Sequence, residues 1–237
     1  MNFRERKKLL KTNLYFCDHP DFPPGRVRRR KKLEMKEERL KGGRPASDPV
    51  LEEQVSEALA VLKRGGIILY PTDTVWGIGC DATNPEAVEK IYRLKRRDDR
   101  KSMLVLLDRM DNVVRYVRQV PEVAWQLFEV ADKPLTLVLP EACGLAPNLV
   151  PPEKTIGIRI PDHEFCRRLI HRLNRPLVST SANLSGEASP RTFSEISAEI
   201  RGGVDWTADP AVEGKPTRKP SSIIKLGSGG EVEILRP

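Results

Sequence analysis

Three histidines (His19, His163, His171) and four cysteines (Cys17, Cys80, Cys143, Cys166) are all that 237 residues provide for metal or thiol chemistry. No pair of cysteines has C-x-x-C spacing and the histidines form no zinc pattern, so a metal centre is not expected. A chain of this size does not need disulfide staples, and the cysteines read as reduced thiols of a cytoplasmic protein. No apolar run reaches the ~18 residues of a membrane span, and the N-terminus lacks the apolar core of a secretory signal. Glu5, Glu34, Glu37 and Glu38 are wrong company for an organelle-targeting leader. Two nucleotide signatures are missing as well: there is no G-x-x-x-x-G-K-[ST], and no G-x-G-x-x-G between a strand and a helix. Nor does any serine or cysteine come with a persuasive base and orienting residue.

What is present in excess is positive charge, and it is unevenly placed. The formal net charge is +8. Residues 1–50 hold fifteen Lys/Arg and seven Asp/Glu, which leaves 26 of each sign from residue 51 onward and a net of zero. The basicity therefore belongs to the tail. Arg26 to Lys32 has six basic residues in seven, after helix breakers at Pro20, Pro23, Pro24 and Gly25. The division expected is a basic, disordered extension over 1–47 and one domain over 48–237. A nucleic-acid arm is the functional alternative for the tail, and Met35 is a candidate true start.

From Asp48 the pattern becomes regular. Asp48-Pro49 opens a helix whose apolar stripe is Leu51, Val55, Ala58, Leu59 and Leu62, ended by Gly65-Gly66. Asn84-Pro85 opens a second, with Ala87, Val88, Ile91 and Leu94 inward. Further helical patterns cover 111–118, 122–130, 163–173 and about 192–200. Strands are expected at 67–70, 103–107, 135–139, 155–160 and 176–178, with closing strands at 222–225 and 232–235. Strands and helices mix without strict β-α-β alternation. The fold class predicted is α/β (α+β): a twisted, mixed, largely antiparallel sheet with helices packed against it.

One stretch organises the rest. Ile67-Ile68-Leu69-Tyr70 leads into Pro71-Thr72-Asp73-Thr74-Val75-Trp76-Gly77-Ile78-Gly79. Proline ends the ladder for want of an N–H; hydroxyls, a carboxylate and two glycines follow. A strand that ends this way presents its tip to a ligand or simply turns into a second strand. This motif resembles the opening motif of the YrdC/Sua5 family, the threonylcarbamoyl-AMP synthases. Lys95-Arg96-Arg97 resembles that family's Lys-x-Arg and Ser181-Ala182-Asn183 its Ser-x-Asn, in the same order. The resemblance covers about Leu51 to Pro237 and implies a YrdC/RibB-like fold with a concave ligand cleft.

It further implies condensation of L-threonine, bicarbonate and ATP to threonylcarbamoyl-AMP and pyrophosphate. ATP would be a substrate, accompanied by Mg2+. The adenylate would pass to the t6A transferase machinery that modifies tRNA. By the same resemblance Lys95, Arg97, Ser181 and Asn183 are catalytic. ATP contacts fall on Arg97, Lys101, Thr155, Ser181, Asn183, Ser189 and Arg236, and threonine contacts on Thr74, Arg159, Ser179 and Ser221. The residues make chemical sense of this, since the reaction needs positive charge and donors around crowded anions more than it needs a nucleophile. Arg159 is a lone cation on an otherwise apolar strand, so it must be paired or face a ligand.

The chain also departs from the family pattern. Trp76 stands where tyrosine is usual, Arg100-Lys101-Ser102-Met103 replaces a more usual Asp-Lys-Pro-Leu, and Ala131-Asp132-Lys133-Pro134 replaces a Trp-Pro-Gly-Pro. With Pro237 the last residue, the single-domain type is expected rather than the longer Sua5 type. The competing class is a double-stranded RNA or tRNA binder that uses the same surface without catalysis.

Overall fold

The computed structural model describes residues 48–96 and 103–237. Arg97 and Lys101, and the whole N-terminal extension, lie outside the described residues. Helix α1 (Pro49–Lys63) starts where the Asp48 carboxylate accepts from Val50 N at 3.0 Å, and it buries Val55, Ala58, Val61 and Leu62. Strands β1 (Ile68–Tyr70) and β2 (Gly77–Gly79) flank the organising motif. Helix α2 (Pro85–Leu94) is capped by Asn84, which accepts from Ala87 N at 3.1 Å. Then come β3 (Leu104–Leu106), a 3-10 segment Met110–Arg115, α3 (Glu122–Val130), β4 (Leu135–Leu139) and β5 (Ile156–Arg159). The chain closes with α4 (Glu164–Leu173), β6 (Leu177–Ser181), α5 (Ala198–Gly202), β7 (Trp206–Thr207), β8 (Ser222–Leu226) and β9 (Val232–Arg236).

The described strands make one mixed sheet in the order β7-β1-β2-β6-β3-β5-β4-β8-β9. β1/β7, β3/β5 and β4/β8 run parallel, and the other five neighbours are antiparallel. The mixed, largely antiparallel sheet with packed helices is the architecture expected. Its central strands are buried apolar runs, with Val105, Leu137, Ile158 and Val178 fully enclosed.

Three local expectations need correction. The pattern at 111–118 gives a short 3-10 segment rather than an α-helix. The helix expected over 192–200 is broken into a 3-10 turn, Phe193–Glu195, and α5. Ile196 and Ser197 between them are extended, because the Ser197 hydroxyl accepts from Ile200 N at 3.3 Å and caps a new helix. The strand expected to stop at Val178 runs on through Ser181, since Ser181 and Thr180 pair with Gly77 and Ile78. Partner strands on both sides override the low strand propensity of the serines.

Sheet register decides what shares a face. Thr136, Arg159, Leu106 and Leu177 form one cross-strand row, and Val138, Gly157, Leu104 and Ser179 form the next. Gly157 lets its neighbours close in at the centre of that face, where an added Cβ would lie 3.2 Å from Leu104 Cβ and 3.4 Å from Thr136 Cγ2.

Candidate functional site

A cavity of ≈250 Å³ opens over this face. Thr74 and Trp76 reach it from the motif, Arg159 from the end of β5, Ser179 and Ser181 from β6, and Ser221 and Arg236 from the two closing strands and their approach. Ser189 completes the set from the loop after β6. Seven sequence-predicted residues (Thr74, Arg159, Ser179, Ser181, Ser189, Ser221 and Arg236) thus line one pocket, although they span more than 160 positions of the chain. Among the described site residues, Lys95, Asn183 and Thr155 do not line it. Thr155 is half-buried just ahead of β5, roughly 13 Å from Arg159 at the strand's rise per residue.

Arg159 is 3% exposed, and its Nη1 donates to Asp73 Oδ1 at 2.5 Å. The lone arginine on the apolar strand is therefore both paired and in the pocket wall. Its Nε is buried without a partner. Asp73 Oδ2 also accepts from Asp162 N at 3.3 Å. The pair is held rigidly and still carries an unspent donor, which suits a carboxylate ligand. Opposite it, Arg236 Nε donates to Ser221 O at 2.8 Å, and the Ser221 and Thr136 hydroxyls are 2.8 Å apart. Burial, and after it the Arg159 guanidinium, pull Arg236 below the usual arginine range. With Arg159 already paired to Asp73, Arg236 is the pocket cation that has no carboxylate partner among the described residues, and its partial burial makes an anion welcome there.

The motif loop is tied in both directions. The Thr72 hydroxyl accepts from Thr74 N at 3.1 Å, lies 2.8 Å from the Thr74 hydroxyl and donates to Val75 O at 2.8 Å. Thr217 N and Arg218 N donate to the carbonyls of Asp73 and Thr74, each at 2.9 Å, so the segment before β8 is laced onto the motif. Trp76 Nε1 donates to Glu213 Oε1 at 2.9 Å, and its ring packs on Phe193 with centroids 4.8 Å apart. The tryptophan that departs from the usual tyrosine thus has a polar use for its N–H. His163, the N-cap residue of α4, donates from Nε2 to Glu213 O of that segment at 3.0 Å; its Nδ1 has no partner, and burial holds its pKa low.

Lys95 stands behind the pocket. It is 2% exposed, and Nζ donates to Ser181 O and Asn183 O, both at 2.5 Å. Asn183 Nδ2 donates to Leu184 O and Glu187 O at 2.8 Å each, while its Oδ1 is buried without a partner. The ammonium therefore braces the end of β6, where the Ser-x-Asn motif sits.

The family model Sua5/YciO/YrdC, described as "Telomere recombination", matches residues 60–237. The chain belongs to this family. It is 34% identical over 189 residues to the human protein named threonylcarbamoyl-AMP synthase, covering 78% of this chain and 67% of that one. A protein of the same name from Idiomarina loihiensis is 37% identical over 158 residues, 65% of this chain and 85% of that one. In three dimensions the chain is similar to Sua5 of P. abyssi complexed with L-threonine, with a TM-score of 0.71 and 27% identity over 77% of this chain. The match covers 53% of the Sua5 chain, so this chain spans about half of that protein's length. E. coli YciO is similar with a TM-score of 0.67 and 25% identity, over 78% of this chain and 88% of that one.

For this family member, sequence reasoning missed two residues that hold pocket side chains from outside the lining, Asp73 on Arg159 and Thr136 on Ser221. Asp73 is inside the motif, but its bond to Arg159 spans 86 positions. Thr136 is the lone polar residue of an apolar strand, the same signal that singled out Arg159. Of the cysteines, Cys80 and Cys166 are free and buried. Cys143 is not among the free ones, and Cys17 lies outside the described residues.

Proposed function

We propose that this protein is an L-threonylcarbamoyladenylate synthase, a nucleotidyltransferase that condenses L-threonine, bicarbonate and ATP to threonylcarbamoyl-AMP and pyrophosphate. The observation that supports it is the pocket itself: seven residues named from separate motifs line one cavity with two arginines. The threonine carboxylate sits on Arg159, and Thr74, Ser179 and Ser221 supply donors and acceptors for its amine and hydroxyl. The threonine amine takes up bicarbonate with loss of water to give a carbamate. A carbamate oxygen then attacks the α-phosphorus of ATP, and the bond to pyrophosphate breaks with its electron pair leaving on pyrophosphate.

The chain's part is to hold anions in line and to offset their repulsion. Arg236, already pulled low by burial and by Arg159, regains a counter-charge when the nucleotide enters. Ser181 and Ser189 donate to the nucleotide, and Lys95 keeps Ser181 and Asn183 in place from behind. Arg97, Lys101 and Thr155 complete the nucleotide contacts in this reading. No group of three or more His, Cys, Asp or Glu side chains is gathered among the described residues, so they do not build a cage for Mg2+ and no step here runs through the metal. The adenylate passes to the t6A transferase machinery in the cytoplasm. The domain is residues 48–237, with the ligand cleft on the open face of the sheet.

The test is pyrophosphate release by the purified protein given ATP, threonine and bicarbonate, with the adenylate detected as product. Omitting threonine or bicarbonate should abolish it. Valine should fail as a substrate, because a site built to bond a hydroxyl rejects an analogue lacking it by up to ~10⁴-fold. Equal turnover of valine and threonine would sink the pocket assignment. Absence of turnover together with tRNA binding that weakens steeply with salt would instead support the non-catalytic RNA binder.

A further inference from the structure

A second cavity, of ≈190 Å³, shares no lining residue with the first. Three arginines converge on it: Arg109 and Arg115 at the two ends of the 3-10 segment, and Arg175 after α4. Each is held by a neighbour. Arg109 Nε lies 3.6 Å from Asp108 Oδ2, which also faces His171 Nδ1 at 3.2 Å. Asn112 Nδ2 donates to the other Asp108 oxygen at 2.6 Å. Arg115 donates to the side chain and backbone oxygens of Asn174 at 3.0 and 3.2 Å, with its guanidinium over the Tyr116 ring. Arg175 is anchored at 2.7 Å by Asp81, whose side chain is 3% exposed and stands outside the lining.

Among the described residues, Arg109 and Arg175 each face a carboxylate, whereas Arg115 meets only the neutral Asn174 and the Tyr116 ring. Arg168 and Arg172, by contrast, share Glu52, and Arg168 also takes Glu164. The two bonds to Asn174 fix the fork of Arg115 in advance, so less side-chain entropy remains for it to lose when an anion arrives. The volume equals roughly six waters, enough for one tetrahedral oxyanion with part of its shell. Several N–H donors fixed around a small polar cavity match the many acceptors and the double charge of a phosphate group better than a single carboxylate.

We propose that this cavity is a second anion site, built for a phosphate group and separate from the pocket over the sheet. The phosphate can come from free phosphate or pyrophosphate, or from an RNA backbone. The probes are inorganic phosphate and pyrophosphate, added at constant ionic strength against chloride to 15N-labelled full-length protein. Backbone amides of Asp108, Arg109, Asn112, His171 and Arg175 are followed. Saturable shifts at these amides are expected, and Arg109→Glu should weaken them at least about tenfold, the loss of one charge-assisted contact. Arg109 is 58% exposed, so this variant should fold as the parent does; His171→Ala gives an independent second loss. Shifts that do not saturate, or that survive unchanged in Arg109→Glu, overturn the site. Addition of tRNA then names the source: displacement of pyrophosphate from these amides assigns the site to RNA phosphate, and its retention assigns it to free phosphate. Since no turnover is read, failure of this site leaves the synthase reading untouched, and the converse holds.

Discussion

Lys95 and Arg159 are both buried cations, at 2% and 3% exposure, and their surroundings put them to opposite uses. Arg159 is in the wall of the pocket, paired with one carboxylate and retaining a buried Nε without a partner. Lys95 is behind the same wall, donating to two main-chain carbonyls at the end of β6. A flat guanidinium can be gripped on one edge and still offer another to a ligand; an ammonium committed to two carbonyls acts chiefly as a brace. Under the proposed function, the same formal charge serves recognition in one place and positioning in the other.

The strongest way to break this contrast is Arg159→Ala. Turnover dependent on threonine should fall about 10²–10³-fold. The melting curve should also report a loss of ~3–5 kcal/mol, because Asp73 is left as an unpaired buried carboxylate. A double variant, Arg159→Met with Asp73→Leu, should recover much of the stability and none of the turnover. Recovery of both would remove Arg159 from the site.

Lys95→Met sharpens the other half. Two carbonyls lose their donor, for a cost of ~2–4 kcal/mol in the melting curve. Turnover should fall along with the order of the β6 end, read as exchange of the amides of Ala182 and Asn183. A large loss of turnover at unchanged stability and unchanged exchange would show Lys95 acting directly on substrate.

A smaller effect concerns the segment laced over the motif. Burial keeps the His163 imidazole neutral in the folded protein, while the unfolded chain takes up a proton near the ordinary 6.5. The unfolded state binds more protons below that value, so stability is full above about pH 6.5 and declines as the pH falls through the lowered folded pKa. His163→Gln should flatten this part of the pH–stability curve; an unchanged curve would count against the assignment. The smallest effect expected is from deleting residues 1–46. The surplus charge lies there and the family match begins at residue 60, so melting and turnover should both stay near the parent's. Lost turnover in a folded truncated protein would make the extension a functional arm.

Much of the fold was legible because its signals are local. Asp48-Pro49 and Asn84-Pro85 announce helix starts by capping chemistry, and both caps are formed. The run Leu135–Leu139, only five residues between Pro134 and Pro140, is too short for a helix and forms a strand. The two-residue β7 was missed because Trp206-Thr207 is too short to carry a period, and it is a strand only by its parallel pairing with β1. In the site, the hydroxyls of the motif and the lone arginine of β5 stood out by type. The partner of that arginine did not, since nothing within a few residues of Arg159 points to Asp73.

The residue kinds and the order of the elements follow from the chain itself, because caps, proline stops and apolar periodicity act over a few residues. Tertiary structure alone decided which cation would line the pocket. Register set Arg159 between Thr136 and Leu106, whereas Lys95 came to rest under carbonyls at the end of a strand 86 positions away. Such choices depend on which desolvated groups meet, and that is settled only when distant strands pair.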